Sequence, residues 1–130
     1  MSRIRSRGNQ TTELAFARLL RKNRITGWRR HLPLPGRPDF CFPHGKVAIF
    51  LDGCFWHACP RCYQRPATNT SFWDRKRADN LARDRRVGRE LRDMGFRVIR
   101  IYEHELKLPA RVIRRVLRRL PGQAIHRSAR

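Results

Sequence analysis

Three cysteines lie close together in the middle of the 130-residue chain, at Cys54, Cys59 and Cys62. Cys59 and Cys62 are separated by two residues, a spacing typical of a tight turn that presents two thiolates to one zinc ion. A structural zinc site needs four sulfur or nitrogen ligands, so we expect a fourth elsewhere, at His104, which follows a predicted strand. Other candidates for the fourth ligand are His57, His44 and Cys41. Without a metal, the cysteines would be thiols that pack as small apolar side chains.

Two aspartates stand out, because the chain has 10 acidic residues against 31 lysines and arginines. Asp39 follows a proline-glycine turn at the start of one predicted strand, and Asp52 ends the next strand. Paired strands can bring two such ends together, and Mg²⁺ typically binds one or two protein carboxylates or carbonyls with waters and a phosphate. The pattern favours equally a magnesium site and an ion pair of Asp39 with Arg37 or Arg61.

Aromatic side chains surround the same part of the chain, as Phe55-Trp56-His57 within the cysteine segment and Phe72-Trp73 beyond it. In a basic segment such side chains can stack on bases or wedge between base pairs. Phe and Trp beside a metal site more often form its small hydrophobic core. The residue types alone therefore favour a structural role for this group.

The charge of the chain indicates which class of molecule it binds. Its formal net charge is +21, its sequence pI is about 11.8, and 27 of its 31 basic residues are arginines. Arginine suits phosphate oxygens and guanine edges, so the composition predicts nucleic acid as partner and disfavours an enzyme of small neutral metabolites. The sequence has no apolar run long enough to span a membrane and no apolar signal core, so we expect a cytoplasmic protein with reduced thiols.

The pattern of apolar residues and chain breakers predicts one α/β domain over residues 11–122, between a mobile basic arm (1–10) and a basic tail (123–130). Its predicted elements are helix 11–23, an extended segment 28–32, strands 39–42 and 47–52 in a hairpin, an irregular segment 53–71, helix 72–94, strand 96–102 and a helix from Pro109 to Leu120. Glu13 falls in the first turn of the first helix, where a carboxylate is favoured. Strands 47–52 and 96–102 are apolar enough to be buried, the first on both faces. In the long helix, one apolar stripe comprises Leu81, Val87, Leu91 and Met94.

Four stretches of the chain carry a family resemblance. They are Leu34-Pro35-Gly36-Arg37-Pro38-Asp39-Phe40, Ile49-Phe50-Leu51-Asp52-Gly53-Cys54-Phe55-Trp56-His57, Phe72-Trp73, and Asn80-x3-Asp84-Arg85-Arg86. Together they resemble the very short patch repair family of DNA mismatch endonucleases. The likeness covers about residues 7–120. It implies a restriction-endonuclease-like core, a mixed β-sheet flanked by helices, with a zinc-binding loop. It also implies that Mg²⁺-dependent nicking occurs beside a T:G mismatch left by deamination of 5-methylcytosine.

The resemblance also implies roles for individual positions. Asp39 would bind Mg²⁺ with the backbone carbonyl of Leu51 beside it, and His57 would be the general base that activates water. Glu13 matches an acidic residue that faces the site. Asp52 stands where a well-known member has a second histidine, and Leu51 where it has threonine, so we expect a more acidic metal shell and count Asp52 among the catalytic candidates.

DNA and zinc contacts are implied in the same way. Phe55, Trp56 and Trp73 match aromatic residues that enter the DNA stack beside the mismatch, which reverses the interpretation from residue types alone. The zinc positions match Cys54, Cys59, Cys62 and His104, although cysteine replaces a histidine in this loop. Asp84 matches a family aspartate on the long helix. Further DNA-contact candidates are Arg37, Asn80, Arg85 and Arg86.

The expected function is a Mg²⁺-dependent, zinc-stabilised endonuclease, a monomer acting on double-stranded DNA of the bacterial nucleoid. One alternative is a restriction-type or defence nuclease without mismatch specificity. Another is a non-catalytic basic zinc module that coats nucleic acid. Asp39 and His57 discriminate between the enzyme and the coating module, because a carboxylate in so positive a surface repels phosphate unless a cation intervenes.

Overall fold

The computed structural model of the protein describes residues 2–53 and 66–120, with side chains from Thr11 onward. In chain order the elements are α1 (Ser2–Lys22), β1 (Arg29–Arg30), β2 (Phe40–Phe42), β3 (Val47–Asp52), α2 (Thr70–Asp93), β4 (Arg97–Tyr102), a 3-10 helix (Glu103–Lys107) and α3 (Pro109–Arg119). The strands form one mixed sheet in the order β1-β2-β3-β4. The first three strands pair antiparallel, whereas β3 and β4 pair parallel and are connected through α2. A parallel pair requires such a crossover connection.

Strand β3 lies inside the sheet, and all six of its residues are buried. Successive side chains of a strand point to opposite faces. Val47, Ile49 and Leu51 pack into the larger core with apolar residues of α1 and α3, while Ala48 and Phe50 pack with residues of α2 on the other face. The prediction that this strand is buried on both faces is confirmed. A mixed sheet with helices on both faces is consistent with the expected restriction-endonuclease-like core.

Helix α1 begins at Ser2 rather than at Thr11, so residues 2–10, predicted as a mobile arm, are helical. Glu13 consequently lies within the helix and not in its first turn. The early residues have no apolar periodicity that could predict a helix. Once Phe16 and Leu20 are packed in the core, extending the helix towards its N-terminus costs less than starting a new one.

Three further sequence predictions need correction. Met94 is 45% exposed, because α2 ends at Asp93 and Met94 begins the turn into β4. Strand β4 is half-buried, since only Ile99 and Ile101, which face α1 and α3, are fully enclosed. The 3-10 helix after β4 was not predicted. The hairpin, the short extended segment at β1, and α3 with its buried stripe are confirmed. No helix in the described part of the chain has the length and apolar character to cross a membrane.

Candidate metal and catalytic site

Glu13 lies on the face of α1 that packs against the sheet, one turn before Phe16. The residue is 5% exposed, and a carboxylate is rarely buried to this extent without polar partners. Two partners approach the same oxygen: Arg30 donates from Nη2 to Oε1 at 2.6 Å, and His31 Nε2 lies 2.9 Å from Oε1. Helix α1 and the edge strand β1 therefore hold a buried carboxylate between them.

Asp39 reaches the same place from the loop before β2. This loop turns at Gly36, whose φ of +74° lies in the left-handed region and where any side chain would overlap Val87 of α2. Glycine is therefore required for the close approach. At the end of the loop, Asp39 accepts a hydrogen bond at Oδ2 from the backbone N–H of Leu51 at 2.7 Å. The structure thus brings Asp39 and Leu51 together through the N–H, while binding of a cation by the Leu51 carbonyl stays a prediction.

Burial raises the pKa of Asp39 from 3.8 to about 7, because loss of solvation penalises the charged carboxylate. The hydrogen bond from Leu51 opposes this rise, whereas the negative charge of Glu13, a hydrogen bond with Glu13 and the charge of Asp52 reinforce it. A carboxyl group with a pKa near neutrality can exchange its proton for a cation at physiological pH. The chemistry of Asp39 therefore suits a metal ligand.

Glu13, His31 and Asp39 together form what we call the Glu-His-Asp cluster. Each side chain offers one ligand atom, and the three atoms lie within 4.8 Å of one another. Among the residues that the structure describes, no other three histidine, cysteine, aspartate or glutamate side chains are grouped in this way. Carboxylate oxygens and imidazole nitrogens are both ligands for divalent metal ions.

Arg30 and His31 are the members of this site that the sequence did not predict. Strands β1 and β2 pair antiparallel, with Arg29 opposite Cys41 and Arg30 opposite Phe40. One further step of the same register places His31 opposite Asp39. That register would have identified His31, but a two-residue strand of arginines has no apolar alternation from which to predict its pairing.

Asp52 lies at the end of β3 and is 4% exposed. Arg100 of β4 donates from Nη1 to both carboxylate oxygens of Asp52, at 3.1 and 3.0 Å. Its Nη2 lies 3.6 Å from Oδ1 of Asp84 on α2, and its guanidinium lies over the Phe50 ring at 4.3 Å. Asp52 is therefore paired with Arg100, and the structure does not join it to Asp39 in one group of ligand atoms.

A cleft of about 260 Å³ opens beside Asp39 and Asp52. Its charged lining combines three carboxylates and three guanidiniums: Asp39, Asp52, Asp84, Arg37, Arg83 and Arg100. Within the described residues, Asp39 forms no ion pair with Arg37, which was the alternative to a metal site, and Arg61 lies outside them. The cleft thus places cationic groups that suit phosphate oxygens next to a carboxyl group that suits a cation.

The predicted aromatic contacts with DNA are described only in part. Trp73 of α2 is half-buried, and its ring centroid lies 5.1 Å from that of Phe72, which is 53% exposed. Phe55 and Trp56 lie outside the described residues. An exposed aromatic ring on a basic helix is suited to contact with a base.

The polar DNA-contact candidates lie on α2 and on the loop before β2. Asn80 accepts a hydrogen bond at Oδ1 from Nη2 of Arg83 at 3.1 Å. Arg85 and Arg86 are exposed on α2, and Arg37 is exposed at the cleft. All of these side chains are therefore accessible except that of Asn80, which is partly covered.

Four predicted site residues lie outside the described part of the chain: Cys54, Cys59, Cys62 and His57. The proposed fourth zinc ligand, His104, lies in the 3-10 helix, where its ring stacks on Tyr102 at 6.3 Å between centroids. Cys41 is fully buried in β2, and burial raises the pKa of its thiol, which disfavours the thiolate that a metal requires. The zinc site stays a prediction.

Comparison with known proteins shows to which family the chain belongs. Residues 1–64 match the family model described as DNA mismatch endonuclease Vsr. The DNA mismatch endonuclease Vsr of Escherichia coli (strain K12) is 45% identical over 76 residues, covering 57% of this chain and 48% of the relative. Type II nicking enzyme V.XorIIP of Xanthomonas oryzae pv. oryzae is 37% identical over 111 residues, covering 82% of this chain and 78% of that enzyme. The chain belongs to the Vsr DNA mismatch endonuclease family.

The Vsr match includes the whole Glu-His-Asp cluster and Asp52, which all lie within residues 1–64. Another similar protein is type II nicking enzyme V.NaeI of Lentzea aerocolonigenes, 48% identical over 69 residues. That match covers 53% of this chain and 42% of V.NaeI. The chain therefore spans less than half the length of two of these Vsr relatives.

Proposed function

We propose that this protein is a Mg²⁺-dependent DNA endonuclease that nicks one strand beside a T:G mismatch. The main support is Asp39, a carboxyl group with a pKa of about 7 beside Glu13, in a chain with a net charge of +21. A protein that only coats nucleic acid would gain nothing from two carboxylates there, because they repel phosphate unless a cation intervenes. Membership of the Vsr family supports the same conclusion.

Asp39 and Glu13 supply the carboxylate oxygens that would hold Mg²⁺, and this set of hard oxygen donors fits that ion. The backbone N–H of Leu51 fixes the orientation of Asp39 through its hydrogen bond, and we propose the Leu51 carbonyl as a further ligand. When bound, Mg²⁺ would offset the negative charge that builds on the phosphoryl oxygens.

We propose His57 as the general base that takes a proton from the attacking water, a role worth roughly 10²–10⁴-fold in rate. Asp52, at the end of the neighbouring strand, was also a candidate for a catalytic role. Its two hydrogen bonds with Arg100 support a different role, in which Asp52 holds that guanidinium in the cleft. Arg100 is then available to contact phosphate oxygens at the mouth of the site.

The substrate proposed is double-stranded DNA. Exposed arginines provide affinity that does not depend on sequence, because they neutralise phosphates. We propose that Phe55, Trp56 and Trp73 enter the base stack beside the mismatch. A T:G wobble pair stacks less well than a normal pair, so opening the step there costs less of the few kcal/mol that unstacking requires.

We also propose a structural zinc site formed by Cys54, Cys59, Cys62 and His104. Three thiolates and one imidazole would complete a tetrahedral shell. Such a site would tie the cysteine segment to the 3-10 helix that follows β4. Elemental analysis of the purified protein is the direct test, with one zinc per chain expected and a loss of zinc in His104→Ala.

The function is tested by offering the full chain matched duplexes, one with a T:G mismatch and one fully paired, in Mg²⁺. We expect one mapped nick beside the mismatch and at least about tenfold slower cleavage of the paired duplex. Equal cleavage of both duplexes would overturn the mismatch specificity. Absence of cleavage of either duplex would overturn the nuclease function.

A second candidate is a restriction-type nicking enzyme that requires no mismatch. It is favoured by the similarity to V.NaeI and V.XorIIP, both described as type II nicking enzymes. The same pair of duplexes discriminates it, because this enzyme would nick fully paired DNA at a defined sequence.

A further inference from the structure

We infer that His31 is a metal ligand and that, together with Glu13 and Asp39, it forms a site that selects Mn²⁺ over Mg²⁺. This inference rests on the proposed metal-dependent nuclease function and specifies the ion that the site prefers. It assigns a role to a residue for which the likeness to known endonucleases implies none. Three features support it: the spacing of the ligand atoms, their chemical types, and the balance of charge around them.

The ligand atoms already have nearly the spacing that one ion requires. His31 Nε2 and Glu13 Oε1 are 2.9 Å apart. Neighbouring ligands of an octahedral ion with bonds of about 2.1 Å are roughly 3.0 Å apart, and opposite ligands are about 4.2 Å apart. All three ligand atoms of the cluster lie within 4.8 Å of one another. Small side-chain rotations would therefore bring them onto one ion.

The donor types decide which ion is preferred. Mg²⁺ is a hard cation that is usually bound by carboxylates, waters and phosphates. Imidazole nitrogen suits transition metals better, and affinity for a site of mixed nitrogen and oxygen donors rises from Mn²⁺ through the later ions of the first row. One imidazole beside two carboxylates therefore favours Mn²⁺ relative to Mg²⁺, whereas two carboxylates alone would not discriminate in this way.

The charge around the cluster suits a divalent ion. Arg30 donates to Glu13 Oε1, so two ionised carboxylates and one guanidinium leave a single net negative charge when His31 is neutral. A divalent ion would convert this to a net positive charge, which attracts a phosphate. The Leu51 N–H donates to Oδ2 of Asp39 and so fixes the orientation of that carboxylate within the cluster.

The His31 side chain can change from a hydrogen-bond donor to a ligand. Nε2 can donate to Glu13 in the tautomer that carries its proton on this nitrogen, whereas ligation uses the lone pair of Nε2, which the other tautomer offers. The side chain of His31 is 53% exposed, so solvent can move the proton to Nδ1. The backbone of His31 has a φ of 57°, in the left-handed region that few residues other than glycine adopt, and the ring lies beside Glu13.

The test is a titration of the full chain with Mn²⁺, followed by the electron paramagnetic resonance signal of the free ion, with Mg²⁺ added as competitor. The variant is His31→Asn, since asparagine tolerates a positive φ but is too short to place a donor at the Nε2 position. The matched control is Arg24→Asn, an exposed position after α1 with a similar positive φ of 59°. We expect the ratio of Mn²⁺ to Mg²⁺ affinity to fall by about tenfold or more in His31→Asn and to stay unchanged in Arg24→Asn.

Two further variants keep the test decisive. His31→Gln places an oxygen near the former Nε2, so it should retain Mg²⁺ binding and lose the preference for Mn²⁺, which covers the case in which His31→Asn does not fold. Asp39→Asn should abolish tight Mn²⁺ binding. An unchanged affinity ratio in His31→Gln and in folded His31→Asn, or tight Mn²⁺ binding by Asp39→Asn, would overturn the inference.

Parallel nicking assays separate this inference from the proposed function. If the wild-type protein nicks the mismatched duplex while the His31 variants keep the wild-type affinity ratio, the metal preference is overturned and the nuclease function stands. If the ratio falls as expected but no duplex is nicked by the wild-type protein, the site is supported and the function is overturned.

Discussion

Two groups of charged side chains at one end of the sheet have the same composition and differ in geometry. Each consists of two carboxylates and one arginine: Glu13 and Asp39 with Arg30, and Asp52 and Asp84 with Arg100. Arg100 contacts both of its carboxylates, whereas Arg30 donates to Glu13. Among the arginines that the structure describes, none pairs with Asp39, and the pKa of Asp39 rises to about 7.

This difference shows that the net charge of a group of side chains does not by itself identify a metal site. An arginine placed between two carboxylates stabilises both in their ionised forms and leaves little attraction for a cation. An arginine that binds only one of them leaves the other to share a proton or accept a metal ion. The group with Arg100 therefore holds a guanidinium in place at the cleft, and the group with Arg30 is the candidate metal site.

The largest expected effect is on catalysis by Asp39→Asn. We expect nicking of the mismatched duplex to fall by about a thousandfold or more, because the metal contributes several kcal/mol to the transition state. DNA affinity should stay near the wild-type value, since the arginines are unchanged. The measurement is single-turnover nicking with Asp93→Asn, an exposed carboxylate at the end of α2, as control. Equal losses in the two variants would remove Asp39 from the metal site.

Removing Arg100 from the group that it forms with Asp52 and Asp84 should lower the stability of the folded protein. Arg100→Met leaves Asp52, whose side chain is 5% exposed, as a buried charge without its guanidinium. We expect the free energy of unfolding to fall by about 2–4 kcal/mol, as when one partner of a buried pair is removed. Denaturant unfolding measures this, with Arg83→Met, an exposed arginine of α2, as control. A loss below about 1 kcal/mol would contradict the structural role of Arg100.

Metal affinity should depend on pH through Asp39. Below a pH of about 7 its carboxyl group is protonated, so a cation must displace the proton. We expect Mn²⁺ affinity to rise by about tenfold per pH unit below this point and to level off above it. The dependence should persist in His31→Asn, which removes the imidazole from the titration. A flat profile between pH 5.5 and 7 would show that the carboxyl is already ionised there.

The smallest expected effect is a gain in stability in Asp39→Asn. The pKa of Asp39 is raised from 3.8 to about 7 in the folded state, so the folded protein binds the proton more tightly than the unfolded chain does. Wild-type stability therefore falls as pH rises from about 4 to about 7, and the full penalty is present above 7. Asparagine has no such penalty, and we expect a gain of about 1–2 kcal/mol at pH 8.

Measuring the stability gain of Asp39→Asn at a second, lower pH provides an internal control. The gain should shrink towards pH 4, where the unfolded carboxyl is also protonated. Unfolding measured at both pH values, without added divalent ions, gives the difference directly. A gain that is equal at the two pH values would mean that Asp39→Asn acts through packing and not through the carboxyl charge.

The elements with periodic apolar residues were predictable from the sequence. The hairpin of β2 and β3, the burial of β3 and the stripe of α3 follow from local patterns of two or about four residues. The early part of α1 was not predictable, since it has no such pattern. Met94 was misplaced because the stripe of α2 was extended one residue past the end of the helix.

The site was predictable only where residue type alone was informative. Asp39 stood out as a carboxylate after a rigid turn in a basic chain. His31 could not be assigned, because its position depends on the pairing of β1 with β2 and on the packing of α1, which are contacts between distant parts of the chain. The pairing of Asp52 with Arg100 depends likewise on the parallel register of β3 and β4.

The hydrogen bond from Leu51 to Asp39 links the site to the slowest motions of the molecule. Its amide belongs to β3, which is enclosed by β2 and β4 and buried on both faces. An amide in such a strand exchanges its proton with solvent only in the rare openings that disrupt the core. Hydrogen exchange at Leu51 should therefore be as slow as in the rest of β3, and Asp39 should keep its orientation until the sheet opens as one cooperative unit.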